Sequence, residues 1–197
     1  MRSAAAVGHQ RAFFGLLADL HGRFDALLPK VLAGVEQILV AGDTVDHSLV
    51  LRLEAIAPVL AVRGNNDRSP ALRRLPPFLT ISAGGHVILM AHDRKDGRLR
   101  RELLRVRPSV LVVGHSHVPL SVREGGLWTI NPGSAGPKRF HLPRTAATLR
   151  LGPRPRLRLW DLERDAPYRA PPGREKRARG DRPRAGARIA FAPGRKP

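Results

Sequence analysis

The sequence predicts an α/β domain, and three observations carry that expectation. Short apolar runs of strand length alternate with segments of helical spacing. Five of those runs, near Ala18, Ala41, Val62, Ala91 and Val113, each close on a polar residue of metal-binding type. The chain has 197 residues, which suits one domain of roughly 150 to 165 residues with a tail. A domain of that size buries about two-thirds of the surface of its unfolded chain, enough for a core without disulfides or a structural metal.

Each element has its own signal. Ala12 to Ala18 is an apolar run with two phenylalanines, bounded by charge, and reads as a buried strand ending at Asp19-Leu20-His21-Gly22. Arg23 to Ala33 places Phe24, Leu27, Leu28, Val31 and Leu32 at helical spacing, with Gly34 as a stop and Pro29 inside. Glu36 to Ala41 is the second strand and closes on Gly42-Asp43. Ser48 to Ala57 follows as a helix, with Ser48 as its N-cap. Pro58 to Val62 is the third strand and runs into Arg63-Gly64-Asn65-Asn66-Asp67.

After a Pro-rich connection, Phe78 to Ser82 and His86 to Ala91 read as paired strands around Gly84-Gly85, the second ending on His92-Asp93. Gly97 to Val106 is charged on one side and apolar on the other, as a surface helix is. Val110 to Val113 is a buried strand. Gly114 then lets the backbone turn sharply, and His115 and His117 leave the strand end two positions apart. Leu120 to Arg123 and Leu127 to Ile130 pair around Gly125-Gly126 and lead to Asn131-Pro132-Gly133-Ser134. Thr145 to Leu151 and Arg156 to Leu162 close the fold.

Composition narrows the function classes. There are no cysteines, which excludes a disulfide framework, a thiolate zinc site and a Cys nucleophile. No apolar run approaches the ~20 residues of a membrane span, and residues 1–11 hold no segment like a signal peptide. The expectation is a cytoplasmic protein without membrane contact. The net charge is +19, and from Arg150 onward there are fifteen Lys or Arg against five Asp or Glu. That end is rich in Pro, Gly, Ala and Arg, and from Arg164 to Pro197 it lacks helix and strand periodicity. The expected organisation is an N-terminal extension at 1–11, one domain at 12–163 and a basic, disordered tail at 164–197. Such a tail can hold nucleic acid through its phosphates without reading bases.

Seven side chains stand at the strand ends: Asp19, His21, Asp43, Asn65, His92, His115 and His117. Each alone has an ordinary reading as a turn or loop residue. In open α/β sheets, however, ligands bind outside the carboxyl ends of the strands, so the seven can share one crevice. Imidazole with carboxylate and amide oxygen suits manganese, iron, nickel or zinc rather than calcium. Seven donors exceed one tetrahedral zinc but suit two ions with a bridging carboxylate. With only Asp19 and Asp43 as anions, two divalent ions and a hydroxide leave the site at about +1, suited to an anionic ester.

The series Asp19-x-His21, Gly42-Asp43, Gly64-Asn65-x-Asp67, His92, Gly114-His115-x-His117 and Asn131-Pro132-Gly133-Ser134 resembles the calcineurin-like metallophosphoesterases, and among them the small prokaryotic single-domain phosphodiesterases. The resemblance runs from about Phe13 to about Leu162. It implies a four-layer α/β/β/α sandwich of two mixed sheets flanked by helices. It also implies one ion on Asp19, His21, Asp43 and His117, and another on Asp43, Asn65, His92 and His115, with Asp43 as the bridge. The sequence departs from the family pattern at Leu20, where Thr or Ser is frequent, and at Asp93, where Gly is common. It departs again at Asn66, where many relatives carry a His proposed as general acid.

The expected function is therefore a dinuclear, metal-dependent phosphoesterase acting on small phosphodiesters through a metal-activated water, with manganese favoured over nickel, iron or zinc. Asp43 and His21 form the candidate catalytic set with Asp67, read as a carboxylate that orients a ligand. Arg63, Arg68, Lys138 and Arg139 flank the motifs and could meet substrate phosphate. His47, His86 and His141 are expected to be structural, and Trp128 and Trp160 to belong to the core. The alternatives are a non-catalytic interaction scaffold, the role attributed to the retromer subunit built on this fold, and phosphate-polymer binding by the tail. Oligomeric state is not legible.

Overall fold

The computed structural model describes residues 11–139 and 141–169. In chain order the elements are β1 (Ala12–Leu17), α1 (Leu28–Val31), β2 (Gln37–Val40), α2 (His47–Glu54), β3 (Val59–Ala61), α3 (Pro70–Arg73), β4 (Phe78–Ala83), β5 (His86–Ala91), α4 (Leu99–Val106), β6 (Val110–Val112), β7 (Leu120–Glu124), β8 (Leu127–Asn131), β9 (Thr145–Leu151), β10 (Arg156–Asp161) and β11 (Ala166–Tyr168). They form two mixed sheets, one in the order β11-β10-β9-β1-β2-β3 and the other β4-β5-β6-β8-β7.

Burial follows from the pleat, which sends successive side chains to opposite faces. Leu16 and Leu39 of the first sheet meet Ile88, Met90, Val112 and Ile130 of the second in the central core. Their neighbours Leu17, Ile38 and Val40 face the other way, against Leu28 and Leu32 near α1 and Leu49 and Leu53 of α2. Leu89 and Leu111 likewise turn outward to Leu99 and Leu103 of α4. The layers are thus helix, sheet, sheet, helix, the expected sandwich. Strands buried on both faces explain why these segments read as continuous apolar runs rather than alternating ones.

Register brings the loops together. β1, β2 and β3 run parallel with Leu17, Val40 and Ala61 level. In the second sheet β5, β6 and β8 run parallel with Met90, Val112 and Ile130 level. Six strands therefore release their carboxyl-terminal loops at one end of the sandwich, and the two sets of loops interlock. His115 N–H donates to Asp19 Oδ1 at 3.2 Å, and His92 Nδ1 lies 2.8 Å from the Ala41 carbonyl.

Several local expectations need correction. The helix expected over 23–33 shrinks to α1, with Pro29 in its first turn, where its missing N–H has no intrahelical partner to lose. Ahead of it Asp25 accepts the Leu27 N–H at 2.9 Å and pairs with buried Arg144, so long-range pairing holds the approach to α1. The N-cap of α2 is Asp46, which accepts the Ser48 N–H at 2.9 Å, rather than Ser48 itself. The Pro-rich connection contains α3, capped by Ser69 through the Leu72 N–H at 3.4 Å. The tail expected from 164 begins too early, because β11 pairs with β10. Residues 170–197, and all of the 1–11 extension but Arg11, lie outside the described residues. No helix among the described residues is long and apolar enough to cross a membrane.

Candidate metal centre

The loops after β1, β2, β3, β5 and β6 bring all seven candidate donors to one end of the sandwich. Asp19, His21 and His117 place ligand atoms within 4.8 Å of one another, and Asp19, Asp43 and His92 do the same. In the first group His21 Nε2 is 3.2 Å from His117 Nε2, and His117 Nε2 is 3.6 Å from Asp19 Oδ1. Asp43 Oδ2 lies between the groups, 3.8 Å from His21 Nε2 and 3.5 Å from His92 Nε2. Asn65 Oδ1 completes the second side, 2.9 Å from His92 Nε2 and 3.1 Å from His115 Nδ1. Asp19 is more central than the resemblance implied, since it also reaches Asp43 and His92. Asn65 and His115 are exposed and form the solvent side.

The backbone is bent to make this cluster. Asp19, His21, Asp43, His115 and His117 all adopt positive φ, between 44° and 66°. Non-glycine residues rarely do so, although Asp and His are enriched there. Such conformations cost of order 1–3 kcal/mol each and persist where the surroundings over-determine them. The over-determination is visible. Asp67, 3% exposed, accepts three backbone N–H groups, from Asp43 at 3.0 Å, Gly64 at 2.7 Å and Val45 at 2.8 Å. Gly64 lies against Asp43 so closely that a Cβ there would collide with the Asp43 carboxylate and backbone nitrogen.

The Asn131-Pro132-Gly133-Ser134 turn braces the other side. Asn131 Nδ2 donates to the Gly114 carbonyl at 2.8 Å and to Ser116 Oγ at 3.0 Å, which holds the His115–His117 loop. Ser134 Oγ donates to the Asp19 carbonyl at 2.9 Å. Arg144 donates to the Gly136 carbonyl at 2.6 Å while paired with Asp25. No role for Asn131, Ser134, Asp25 or Arg144 was assigned from sequence. The Asn-Pro-Gly-Ser string was the one available signal for the first two.

Electrostatics favour a cation. Burial, with Asp19 fully inside, pushes its carboxyl up to about 7, against the pull of His92. Burial opposes ionisation of Asp43 too, but hydrogen bonds from His92 and Asn66 outweigh it and hold that carboxyl well below the usual carboxylate range. Desolvation lowers His117 to about 4 and also lowers His21, so both imidazoles are neutral near pH 7, the form that binds metal. His92 is different: burial works against its charge, yet the Asp43 carboxylate and the Ala41 carbonyl, 2.8 Å from Nδ1, raise it. Nδ1–H donation to Ala41 turns Nε2 toward the cluster, the orientation that fixes metal-ligating histidines.

Residues of this chain fit the implied ions. Asp19 Oδ2 is buried without any hydrogen-bond partner among the described residues, and such an orphaned group calls for compensation. Neutral imidazoles, two carboxylates and an amide oxygen are the donor set that first-row divalent metals prefer.

The structure separates the other candidates. Asp67 is sealed behind Asp43 with three amide donors on its oxygens, so it positions Asp43 rather than acting as a proton donor. Asn66 clamps Asp43, its N–H donating to Asp43 Oδ1 at 2.8 Å and its Nδ2 to Oδ2 at 2.7 Å. Arg139 reaches the centre, with Nη2 3.4 Å from His21 Nε2. Lys138 instead pairs with Glu163 at 3.0 Å, and Arg63 Nη1 donates to the Arg73 carbonyl at 3.3 Å. Arg68 is exposed, as are His47 and His141. His86 is structural, 3.1 Å from Ser109 Oγ and 3.3 Å from the Gly152 carbonyl. Trp128 is buried in the core, and Trp160 packs half-buried beside the outer cluster of the first sheet.

A sandwich of two mixed sheets with an imidazole-carboxylate centre at its strand ends defines a metallophosphoesterase-like scaffold. Residues 13–153 match the family model of the calcineurin-like phosphoesterase superfamily domain, and the chain belongs to that superfamily. It is similar to a probable metallophosphoesterase of Methanothermobacter thermautotrophicus, 34% identical over 104 residues, a match that covers 51% of this chain and 60% of that protein. This chain therefore spans less than two thirds of that relative. Among solved structures, a predicted phosphoesterase from Streptococcus pneumoniae superposes with a TM-score of 0.65 at 19% identity, over 80% of this chain and 93% of the other. Vacuolar Protein Sorting 29 from Cryptosporidium parvum gives 0.67 at 21% identity, over 80% and 95%. At those identities the likeness concerns the fold.

Proposed function

We propose that this protein is a dinuclear, metal-dependent phosphodiesterase. The observation that carries the reading is the position of Asp43, whose Oδ2 stands between His21 Nε2 and His92 Nε2 at 3.8 and 3.5 Å. One ion would be held by Asp19, His21, Asp43 and His117, the other by Asp43, Asn65, His92 and His115, with manganese favoured and nickel, iron or zinc as alternatives. Two such ions supply an activated water and a clamp for the oxygens of an in-line displacement.

The protein's own residues do the rest. Asn66 and Asp67 hold the bridge in place, one from the carboxylate side and one through the backbone. Arg139, beside His21, is placed to grip a phosphoryl oxygen. A diester suits the centre because it presents one negative charge to a site whose protein anions are two carboxylates. The rival, an interaction scaffold of the kind that shares this fold, would not require the full donor set or its strained backbone. Segment 170–197 is assigned non-specific contact with phosphate polymers, and the protein as a whole to the cytoplasm.

The test is metal analysis of the purified protein together with hydrolysis of bis(p-nitrophenyl) phosphate. Chelation should abolish turnover, and added manganese should restore it. Asp43→Ala should lose most activity and about one bound ion while circular dichroism still reports a folded domain. Activity that survives thorough chelation would overturn the reading.

A further inference from the structure

Helix α4 covers only part of the outer face of the second sheet. Leu99 and Leu103 pack over β5 and β6 through Leu89 and Leu111. Beyond them the face continues toward β8 and β7 without a helix, and a cleft of about 880 Å³ lies there. Val113, Val118, Leu120 and Val122 give it an apolar wall, Glu124 and Thr129 lie beside them, and His115 of the candidate metal centre stands at its edge. Its polar groups are unequal. Asn131 is committed to Gly114 and Ser116, and its Oδ1 accepts the Gly133 N–H at 2.9 Å. Arg94 and Lys95 lie on the cleft wall, and among the described residues neither forms an ion pair.

On the other side of His115 is a smaller hollow of about 280 Å³, lined by Arg63, Asn65, Pro77, His92, Asp96 and Arg98. Asp93 and His115 belong to both cavities and form the ridge between them. A phosphoryl group seated at the metal centre thus has two unequal directions for its ester groups. One is wide with an apolar wall, of the 300–1,000 Å³ size typical of ligand sites; the other is narrow and charged, with Arg63 held to the Arg73 carbonyl at 3.3 Å and Arg98 paired to Asp96 at 2.7 Å.

We propose that the 880 Å³ cleft is the subsite for a bulky, apolar-faced ester group, so that the preferred substrate is an asymmetric phosphodiester with its small group toward Arg63 and Arg98. This rests on the phosphodiesterase reading above. The shared chemistry is a large group with an apolar face. A nucleoside and an alkyl chain both have one, and the substrates chosen below tell them apart.

The experiment compares three 2,2,2-trifluoroethyl phosphodiesters on manganese-loaded protein, with methyl, octyl or thymidine-5′ as the retained group and a leaving group too small to fill the cleft itself, followed by fluorine NMR. Wild type should show kcat/KM at least about tenfold higher for a bulky ester than for the methyl ester, the scale on which apolar pockets discriminate. Which bulky ester gains identifies the source. Val122→Trp, on the edge strand β7, fills the cleft and should bring that ratio toward one, with circular dichroism confirming the fold. Equal values in wild type, or a ratio unmoved by Val122→Trp, overturns the assignment. If none of these esters is hydrolysed, bis(p-nitrophenyl) phosphate decides whether the phosphodiesterase reading falls, and calorimetry with thymidine 5′-monophosphate and octyl phosphate decides the cleft separately. Binding weakened about tenfold or more by Val122→Trp supports it, and no binding to folded wild type overturns it.

Discussion

Asp67 and Asp43 are stacked one behind the other, with the Asp43 N–H donating to Asp67 Oδ2 at 3.0 Å. The outer carboxylate meets the imidazoles, and the inner one carries no partner but backbone amides from three residues of two loops. Charge is thereby held at the centre by a group that never reaches it.

That arrangement predicts the effect of Asp67→Asn. One oxygen becomes an NH₂ facing amide donors, so at least one buried N–H is left without an acceptor, at a cost of about 1–3 kcal/mol. Loss of such outer support typically lowers metal affinity about 10–100-fold. Thermal melts and manganese titration measure the two effects, and unchanged affinity would show that Gly64 and Asn66 hold Asp43 unaided.

Asp19 predicts a conflict between stability and metal binding. Its folded pKa, raised by burial to about 7, lies above the ordinary value, so between pH 4 and 7 the native state binds more protons than the unfolded one. Stability of the metal-free protein should fall as pH rises through that window, by a contribution on the order of 4 kcal/mol. Raised His92 acts in the same sense, stabilising below its unfolded pKa and losing that contribution as pH rises through its folded one. With chelator present, Asp19→Asn should melt higher than wild type at pH 8 and close to it at pH 4. Added manganese should stabilise only the wild type. Equal melting at pH 8 would refute the burial cost.

His92 and Asp19 together are expected to set the acid limit of metal loading. Because His117 stays neutral down to about 4, its protonation does not compete with an ion near neutrality. His92 must lose a proton that Asp43 and Ala41 help it keep. Asp19, with its carboxyl at about 7, must lose one too, so manganese affinity should drop as pH falls through about 7, with proton release on binding. Calorimetry in buffers of different ionisation enthalpy counts those protons, and none released at pH 6.5 would contradict the assignment.

In the proposed reaction, Asn66 would leave the departing alkoxide without a side-chain acid. Its amide cannot release a proton and is engaged with Asp43, and Asp67 is sealed. Positioned acid catalysis is commonly worth ~10²- to 10⁴-fold, so rates across aryl and alkyl diesters should depend steeply on leaving-group pKa. A flat series would reveal another donor. Asn66→Ala should also loosen Asp43 and weaken metal binding, so Asn66→His is not a simple gain of an acid.

Removal of 170–197 should leave turnover of a small diester nearly unchanged and make polyanion binding weaker and less dependent on salt. Removal from 164 should destabilise the domain, because β11 completes the edge of the first sheet through Leu159, Trp160 and Asp161. Melting curves of the two truncations discriminate between these boundaries.

Nearly all strands that face the core on both sides were legible, because continuous apolar runs ended by Gly, Asp or His carry the signal locally. The short elements were not. α1 and α3 are four residues each, below the length at which helical periodicity is measurable, and β11 contains Pro167, whose missing N–H argues against a strand in the middle of a sheet but is tolerated at an edge. The N-cap of α2 was misplaced by two residues because Asp46 and Ser48 are both capping types, and only the geometry selects between them.

The sequence by itself determined which donor atoms exist, their order, and that each follows a strand, since residue type and local pattern settle those matters. The tertiary structure decided how they combine. The level register of six parallel strands in two sheets brings separated loops to one end of the sandwich, and the Asn131 and Asp67 hydrogen bonds bend the backbone into positive φ. Asp19 acquired its raised pKa, Asp67 its hidden place and the 880 Å³ cleft its walls only through burial. Burial depends on what distant segments pack against a residue, and no window of neighbouring sequence contains that information.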